Sequence, residues 1–291
     1  MTQRICVTGA SGKAGRAVVR DLREQGYQVV ATDTSLTSDD VAAGVLRANL
    51  TDYGQATEVL RGVHAVVHLA NIPAPGLAPA AVTFNANTTM NFNVFHAAAS
   101  LGLARVVWAS SETTLGLAFG HDREEEPGGI GAPPRYAPVD EDHFPLPNTT
   151  YALSKVVSET IAEQISRWSG LPFVGLRISN IMAPHDYERF PSYWPDAHAR
   201  QWNLWGYVDV RDVALACRLG LEADVTGSHN VIIAAADTVM NRPSRELLAE
   251  AFPDTPLTRD IGEFETLLAI DGARELLGYK PGHSWRDHLG Q

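Results

Sequence analysis

From residue 4 to residue 177 the chain alternates short apolar, strand-like runs with helix-period segments. That alternation restricts it to a parallel sheet clothed in helices, because each parallel connection needs a crossover. Arg4–Thr8 reads as a strand, Lys13–Gln25 as a helix stopped by Gly26, and Gln28–Asp33 as a second strand. The series continues with a short strand near Val45–Ala48, a helix from Asp52 to Arg61, a strand Ala65–Leu69, a long helix around Ala80–Leu101 and a strand Arg105–Ser110. A helix over Tyr151–Trp168, with Asn148 and Thr149 as its N-cap, then leads into a strand at Phe173–Arg177. The expected class is α/β with a doubly wound parallel sheet.

Two segments break the pattern. Residues 119–148 are rich in Pro, Gly and acids, notably Asp122-Arg123-Glu124-Glu125-Glu126-Pro127-Gly128-Gly129, and have neither period. A loop of that length is either a lid or interface element, or a solvated insertion. After about Ala183 the alternation becomes irregular, with Pro184, Pro191 and Pro195 inside an aromatic cluster, then a helix at Arg211–Glu222 and a strand at His229–Ile233. The expectation is a nucleotide-binding domain over 1–180 and a small substrate lobe over 181–291, interleaved with the last elements of the large domain.

The loop Thr8-Gly9-Ala10-Ser11-Gly12-Lys13-Ala14-Gly15 joins the first strand to the first helix. Glycines there let backbone amides approach a pyrophosphate at the positive helix end. The spacing Gly-x-x-Gly-x-x-Gly is one residue wider at its first gap than the commonest dinucleotide pattern. Asp33 ends the second strand, where its carboxylate would accept from the adenine ribose hydroxyls and repel a 2′-phosphate, so NAD is favoured over NADP. Lys13 and Arg16 border this loop and could soften that preference.

Tyr151 and Lys155 stand four residues apart and share one helix face, so the ammonium can sit beside the phenol and favour its ionised form. Bringing a phenol from ~10 to neutrality takes about 4 kcal/mol, which a lysine and an oxidised nicotinamide could supply. That arrangement makes a general base for hydride chemistry.

Composition narrows the partners. The chain has 291 residues, 23 basic against 34 acidic, and a formal net charge of -11, with no Lys/Arg stripe that could track phosphates. Nucleic acid is not expected. Cys6 and Cys217 lie in apolar runs and read as buried thiols. The first strand begins at Arg4, leaving no room for a cleaved leader, and no stretch is apolar enough to span a bilayer, so a cytoplasmic protein without membrane contact is expected. The ten histidines show no ligand spacing, and no metal is expected.

Taken in order, the glycine loop, Asp33, His68-Leu69-Ala70-Asn71, Ser110-Ser111 and the Tyr151/Lys155 pair resemble the extended short-chain dehydrogenase/reductases of the NAD-dependent epimerase/dehydratase group. The resemblance implies a Rossmann-type domain with a variable C-terminal substrate lobe. It makes Ser111 the catalytic serine, Tyr151 the general acid/base and Lys155 the residue that grips the nicotinamide ribose. Cofactor contacts are implied for Gly9, Ser11, Gly12, Lys13, Ala14, Gly15, Asp33, Leu69, Ala70, Asn71, Asn87 and Ser110, with Asn87 equally suited to helix packing. Asn49-Leu50-Thr51-Asp52 stands where the group has Asp-Leu-x-Asp beside adenine, with its first aspartate replaced by Asn49.

Within the group the chain partly resembles uronate dehydrogenases, through Val107-Trp108-Ala109-Ser110-Ser111, Leu176-Arg177-Ile178 and Arg189-Phe190-Pro191-Ser192-Tyr193-Trp194. That likeness implies that Arg189 clamps a substrate carboxylate, a task suited to a bidentate guanidinium. Ser111, Glu112 and Asn180 complete the expected substrate contacts. Glu112 stands in place of an asparagine, and Pro73 in place of a substrate-binding serine. Phe190, Tyr193, Trp194, Trp202, Trp205 and Tyr207 could cover a sugar ring, although packing a small lobe is the stronger reading.

The leading expectation is an NAD-dependent dehydrogenase acting on a sugar or sugar acid. A nucleotide-sugar epimerase or dehydratase with tightly held NAD would use the same triad, but residues 178–240 offer a diphosphate only four arginines and no lysine. A nicotinamide-sensing regulator without turnover would not need the intact Ser111, Tyr151 and Lys155. The resemblance further implies a homodimer formed through helices 80–101 and 151–168.

Overall fold

The computed structural model describes residues 3–116 and 132–290. In chain order the large sheet begins with β1 (Arg4–Thr8), α1 (Lys13–Glu24), β2 (Gln28–Asp33), α2 (Ser38–Ala42), β3 (Leu46–Arg47), α3 (Tyr53–Leu60) and β4 (Ala65–His68). It continues with α4 (Ala80–Ser100), β5 (Arg105–Ser111), α5 (Thr150–Ser169) and β6 (Phe173–Ile178). Next come β7 (Ile181–Met182), β8 (Val208–Asp209), α6 (Val210–Glu222), β9 (Ser228–Ile233), α7 (Ser244–Ala251), α8 (Asp271–Leu277) and α9 (Trp285–Leu289).

Seven strands form one parallel sheet in the order β3-β2-β1-β4-β5-β6-β9, while β7 and β8 make a separate parallel pair. This is a doubly wound, Rossmann-type sheet. The two-residue period divides each strand between two cores. Ile5, Val7, Val67, Val107 and Val174 face α1 and α6, while Cys6, Val66, Val106, Trp108 and Phe173 face α3, α4 and α5. Within the second core Phe95 meets Trp108 and Phe173 edge-on, with ring centroids 5.2 and 5.1 Å apart, the favoured aromatic geometry.

Apart from α2, sequence patterning placed the regular elements up to β6 within a residue or two, because caps and period are local. Thr149 caps α5 as expected, its Oγ1 accepting from the Ala152 amide at 3.0 Å. The irregular C-terminal part hid β7, β8, α7, α8 and α9, and α2 also went unseen although Thr37 and Asp40 form its capping box.

The interruption after β5 divides in two. The acidic run at 122–129 lies outside the described residues. Residues 132–149 form a strap joined to the lobe: Ala137 exchanges backbone bonds with Pro256 and Thr258, and Val139 with Leu267 and Ala269. Glu141 ties the same strap to the sheet, accepting from the Ile232 amide at 2.8 Å. Ala137, Val139, Tyr187, Phe190, Trp205, Tyr207, Leu268 and Trp285 share a third core, distinct from those flanking the sheet.

Candidate active site

After β1 the chain moves outward to β2 and β3 and then returns to place β4 on the other side of β1. Adjacent connections therefore diverge above the carboxyl ends of β1 and β4 and open a crevice. The crevice is a cleft of about 660 Å³ that runs from Asp33 and Thr34 past the glycine loop to Ser111, Tyr151 and Lys155.

The glycine loop is shaped by close approach. Gly9 has φ +67°, and a Cβ there would lie 2.7 Å from the Ala70 amide nitrogen. A Cβ on Gly15 would lie 2.0 Å from the Gly9 carbonyl oxygen. Side chains at these positions would force α1 away from β4 and from the loop. Asp33 braces the other rim: its Oδ2 accepts from the Ser11 amide at 3.0 Å and its Oδ1 from the Thr34 amide at 2.7 Å. Lys13 is drawn to Asp186 at 2.8 Å and Arg16 to Asp40 at 2.7 Å, so neither cation is left for a 2′-phosphate. Glycine approach, a bracing carboxylate and the apolar Ala48 and Leu50 on the same wall fit an NAD dinucleotide.

Gly12, Lys13, Ala14, Leu69, Ala70, Asn71 and Ser110 also line the cleft. Asn49 does not: its Oδ1 accepts from the Thr51 amide and hydroxyl. Asn87 is buried behind the wall and brackets the backbone of Ile72, accepting from its amide at 2.8 Å and donating to its carbonyl at 3.1 Å. Ser110 turns its hydroxyl away to Glu159 Oε1 at 2.6 Å.

At the far end of the cleft, Ser111 Oγ accepts from both the amide and the hydroxyl of Thr113, at 3.2 and 2.9 Å. A hydroxyl has two acceptor lone pairs and one proton, so the Ser111 proton remains to be donated toward Tyr151 or a bound oxygen. Burial pushes the Tyr151 phenol up to about 12, with Glu112 adding to the rise and Ser111 opposing it. Burial likewise brings the Lys155 ammonium down to about 7, against the pull of Glu159. The expected depression of the phenol by Lys155 is therefore not a property of the pair alone: Lys155 Nζ lies 5.5 Å from the Tyr151 ring centre and directs protons to Asn71 Oδ1 and the Ala109 carbonyl.

Behind Lys155 runs a buried chain of polar groups that no local sequence signal announced. Thr8 Oγ1 meets His68 Nδ1 at 2.7 Å, His68 Nε2 meets Asn91 Oδ1 at 2.9 Å, and Asn71 Nδ2 donates to the same Asn91 oxygen at 2.9 Å. Burial drives the His68 ring down to about 3, so it stays neutral, and a neutral ring satisfies this pattern with its proton on Nε2.

The substrate end brings Glu112, Ser179, Asn180 and Trp202 to the cleft. Arg189, expected to clamp a carboxylate, is exposed and does not line the cleft, because the 3-10 turn over Pro184–Ser192 buries Asp186, Tyr187 and Phe190 instead. The arginine behind this end is Arg200, buried and directed to Asn180 Oδ1, Asn203 Oδ1 and the Gly206 carbonyl. Of the aromatic cluster, Phe190, Trp205 and Tyr207 are core and Trp202 reaches the cleft. Arg200, Asn203, Ser179, Thr113 and Asn91 were missed from sequence, since each is recruited across the fold.

No helix among the described residues is long and apolar enough to cross a membrane, and these residues contain no cluster of metal-binding side chains. A profile of the NAD dependent epimerase/dehydratase family matches residues 5–236. An NAD-dependent glucose-6-phosphate dehydrogenase of Haloferax volcanii is 28% identical over 208 residues, covering 67% of this chain and 76% of that protein. A uronate dehydrogenase of Pseudomonas putida is 28% identical over 181 residues, covering 61% of this chain and 60% of that protein. Among solved structures, a short-chain dehydrogenase/reductase superfamily protein from Agrobacterium tumefaciens with bound NAD has the same fold, with a TM-score of 0.73 at 21% identity over 99% of this chain and 95% of that chain. Because the family profile runs from β1 to just beyond β9, and so takes in the whole seven-stranded sheet, the chain belongs to the NAD dependent epimerase/dehydratase family.

Proposed function

We propose that the protein is an NAD-dependent dehydrogenase that oxidises a hydroxyl of a sugar or sugar acid. The observation that carries this reading is the Ser111 hydroxyl, whose lone pairs are both taken by Thr113 so that its proton is directed toward the Tyr151 phenol, beside which a substrate oxygen would be held. Tyr151 takes the proton of the substrate hydroxyl, and Ser111 holds the same oxygen. Lys155, fixed by Asn71 and Ala109, grips the ribose. Bound NAD supplies the hydride acceptor and a cationic ring that favours the phenolate.

A nucleotide-sugar epimerase would use the same three residues and return the hydride. The dehydrogenase reading is favoured because the two lysines lining the cleft, Lys13 and Lys155, are already committed to Asp186 and Asn71, leaving little to hold a substrate diphosphate. Homodimerisation through α4 and α5 belongs to the same reading and is supported by the exposed Phe92, Leu153 and Trp168 on those helices. A cytoplasmic setting is supported by Cys6 and Cys217, both free thiols.

The test is NADH formation, followed by absorbance, from NAD and a panel of aldoses, uronic acids and polyols. A rate abolished in Tyr151→Phe is the expected result. Protein that retains NAD through purification and forms no NADH with any of them would instead favour the epimerase.

A further inference from the structure

A buried carboxylate stands next to Ser111 in the wall of the cleft. Glu112 directly follows Ser111, so its Cα lies about 3.8 Å from that of the residue holding the reacting oxygen. It is buried and lines the cleft; Oε1 accepts from Asn203 Nδ2 at 3.2 Å, while Oε2 has no partner at hydrogen-bonding geometry, with the Ser179 hydroxyl and the Asn180 amide near enough only to favour its ionised form. A buried acceptor left without a partner is costly, so such atoms in a cleft mark ligand contacts.

The cations nearby are held by other groups. Arg200 stacks on Tyr193 and Trp202, at 5.3 and 5.0 Å from the ring centres, and its terminal nitrogens go to Asn180, Asn203 and Gly206. It lends Glu112 positive potential without pairing with it directly. Arg189 faces outward, Lys13 is paired with Asp186, and Lys155 is held by Asn71 and Ala109. A substrate carboxylate at this end would meet Glu112 with no free counter-charge.

On the dehydrogenase reading above, we propose that Glu112 Oε2 accepts a hydrogen bond from the substrate hydroxyl adjacent to the reacting carbon, and that its buried carboxyl, with no free cation beside it, disfavours a second carboxylate in the cleft, so that the enzyme selects an uncharged polyhydroxylated substrate, an aldose or polyol, over the corresponding sugar acid. A hydroxyl suits this oxygen in either protonation state, since it can donate to a carboxylate or accept from a carboxylic acid. Burial raises the Glu112 carboxyl to about 7, against Ser179, Asn203 and Arg200, so both states are populated near neutrality.

The experiment compares glucose with glucuronate, galactose with galacturonate, and each aldose with its analogue lacking the adjacent hydroxyl, using wild-type protein and Glu112→Gln. Wild-type kcat/KM should favour the aldose by at least roughly 10-fold over the uronate, since a like charge brought near a buried carboxyl without a counter-charge is disfavoured, and by a comparable factor over the analogue lacking the hydroxyl, since a site built around a substrate hydroxyl discriminates strongly. Glu112→Gln should lower aldose turnover by a comparable factor, and its loss should not add to the loss from removing the hydroxyl, because both delete one contact. A wild-type preference for uronates, or fully additive losses, overturns the proposal while leaving the dehydrogenase reading intact. If no sugar reduces NAD, that reading fails. Calorimetric binding of the same pairs to NADH-loaded protein then decides the selectivity separately: aldose binding weakened by Glu112→Gln sustains it, and uronate binding as tight as aldose binding overturns it.

Discussion

Lys155 donates from Nζ to Asn71 Oδ1 at 2.9 Å, joining α5 to the segment that follows β4. Asn71 is itself held by Asn91, and Asn91 by His68, so the position of the lysine is set by groups on three other elements. Replacing Asn71 with alanine should leave Lys155 without its side-chain acceptor and let it drift. Since a displacement of about 1 Å can cost ~100-fold in rate, kcat/KM should fall roughly 10- to 100-fold, with KM for NAD rising as kcat falls. Steady-state kinetics with NAD varied would check this, and an unchanged KM for NAD would separate the lysine from ribose binding.

Tyr151→Phe removes the proton acceptor and little else, because the phenol is buried and phenylalanine fits its space. Turnover should drop by about 100- to 10,000-fold while NAD affinity, read by calorimetry, stays close to wild type. In the wild type, kcat/KM for oxidation should climb with pH over the alkaline range, since burial holds the phenol high and the proposed base is its ionised form.

Asp33→Ala should erode the preference for NAD. The carboxylate that would accept the ribose hydroxyls is lost, which costs about 1.5–3 kcal/mol, or roughly 10- to 100-fold in affinity. The repulsion of a 2′-phosphate disappears with it. The ratio of kcat/KM for NAD and NADP measures both effects, and an unaltered ratio would place the ribose elsewhere.

Gly15→Ala inserts a methyl group 2.0 Å from the Gly9 carbonyl oxygen, so the loop or α1 must move. Overpacking of this kind costs about 1–3 kcal/mol. The same shift should weaken NAD binding, so denaturant titration and calorimetry should both register the change.

Glu112→Gln should also alter stability against pH. The carboxyl ionises at 4.5 in the unfolded chain and at about 7 when folded, so between those values the unfolded state has released a proton that the folded state keeps. Stability from this group is thus fully present below 4.5 and is lost as pH rises to about 7, by about 3 kcal/mol at most. Denaturant midpoints between pH 5 and 8 should fall in the wild type and fall less in Glu112→Gln.

Short-range signals made much of the molecule legible in advance. Hydrophobic period and helix caps located the strands and helices through β6 except α2, since both depend on residues a few positions apart. The glycine loop, Asp33 and the Tyr151/Lys155 spacing picked out residues that the fold brings to one cleft, for the same reason. What stayed hidden depends on which distant groups become neighbours. Glu112 finds Asn203 from 91 positions away, Lys155 finds Asn71 from 84, and residues 132–149, patternless in themselves, become a strap only because backbone at Pro256, Thr258, Leu267 and Ala269 completes their hydrogen bonds. Burial decided the rest: it turned Arg189 outward and Arg200 inward, and set the proton affinities of Tyr151, Lys155 and Glu112, which no residue type carries alone.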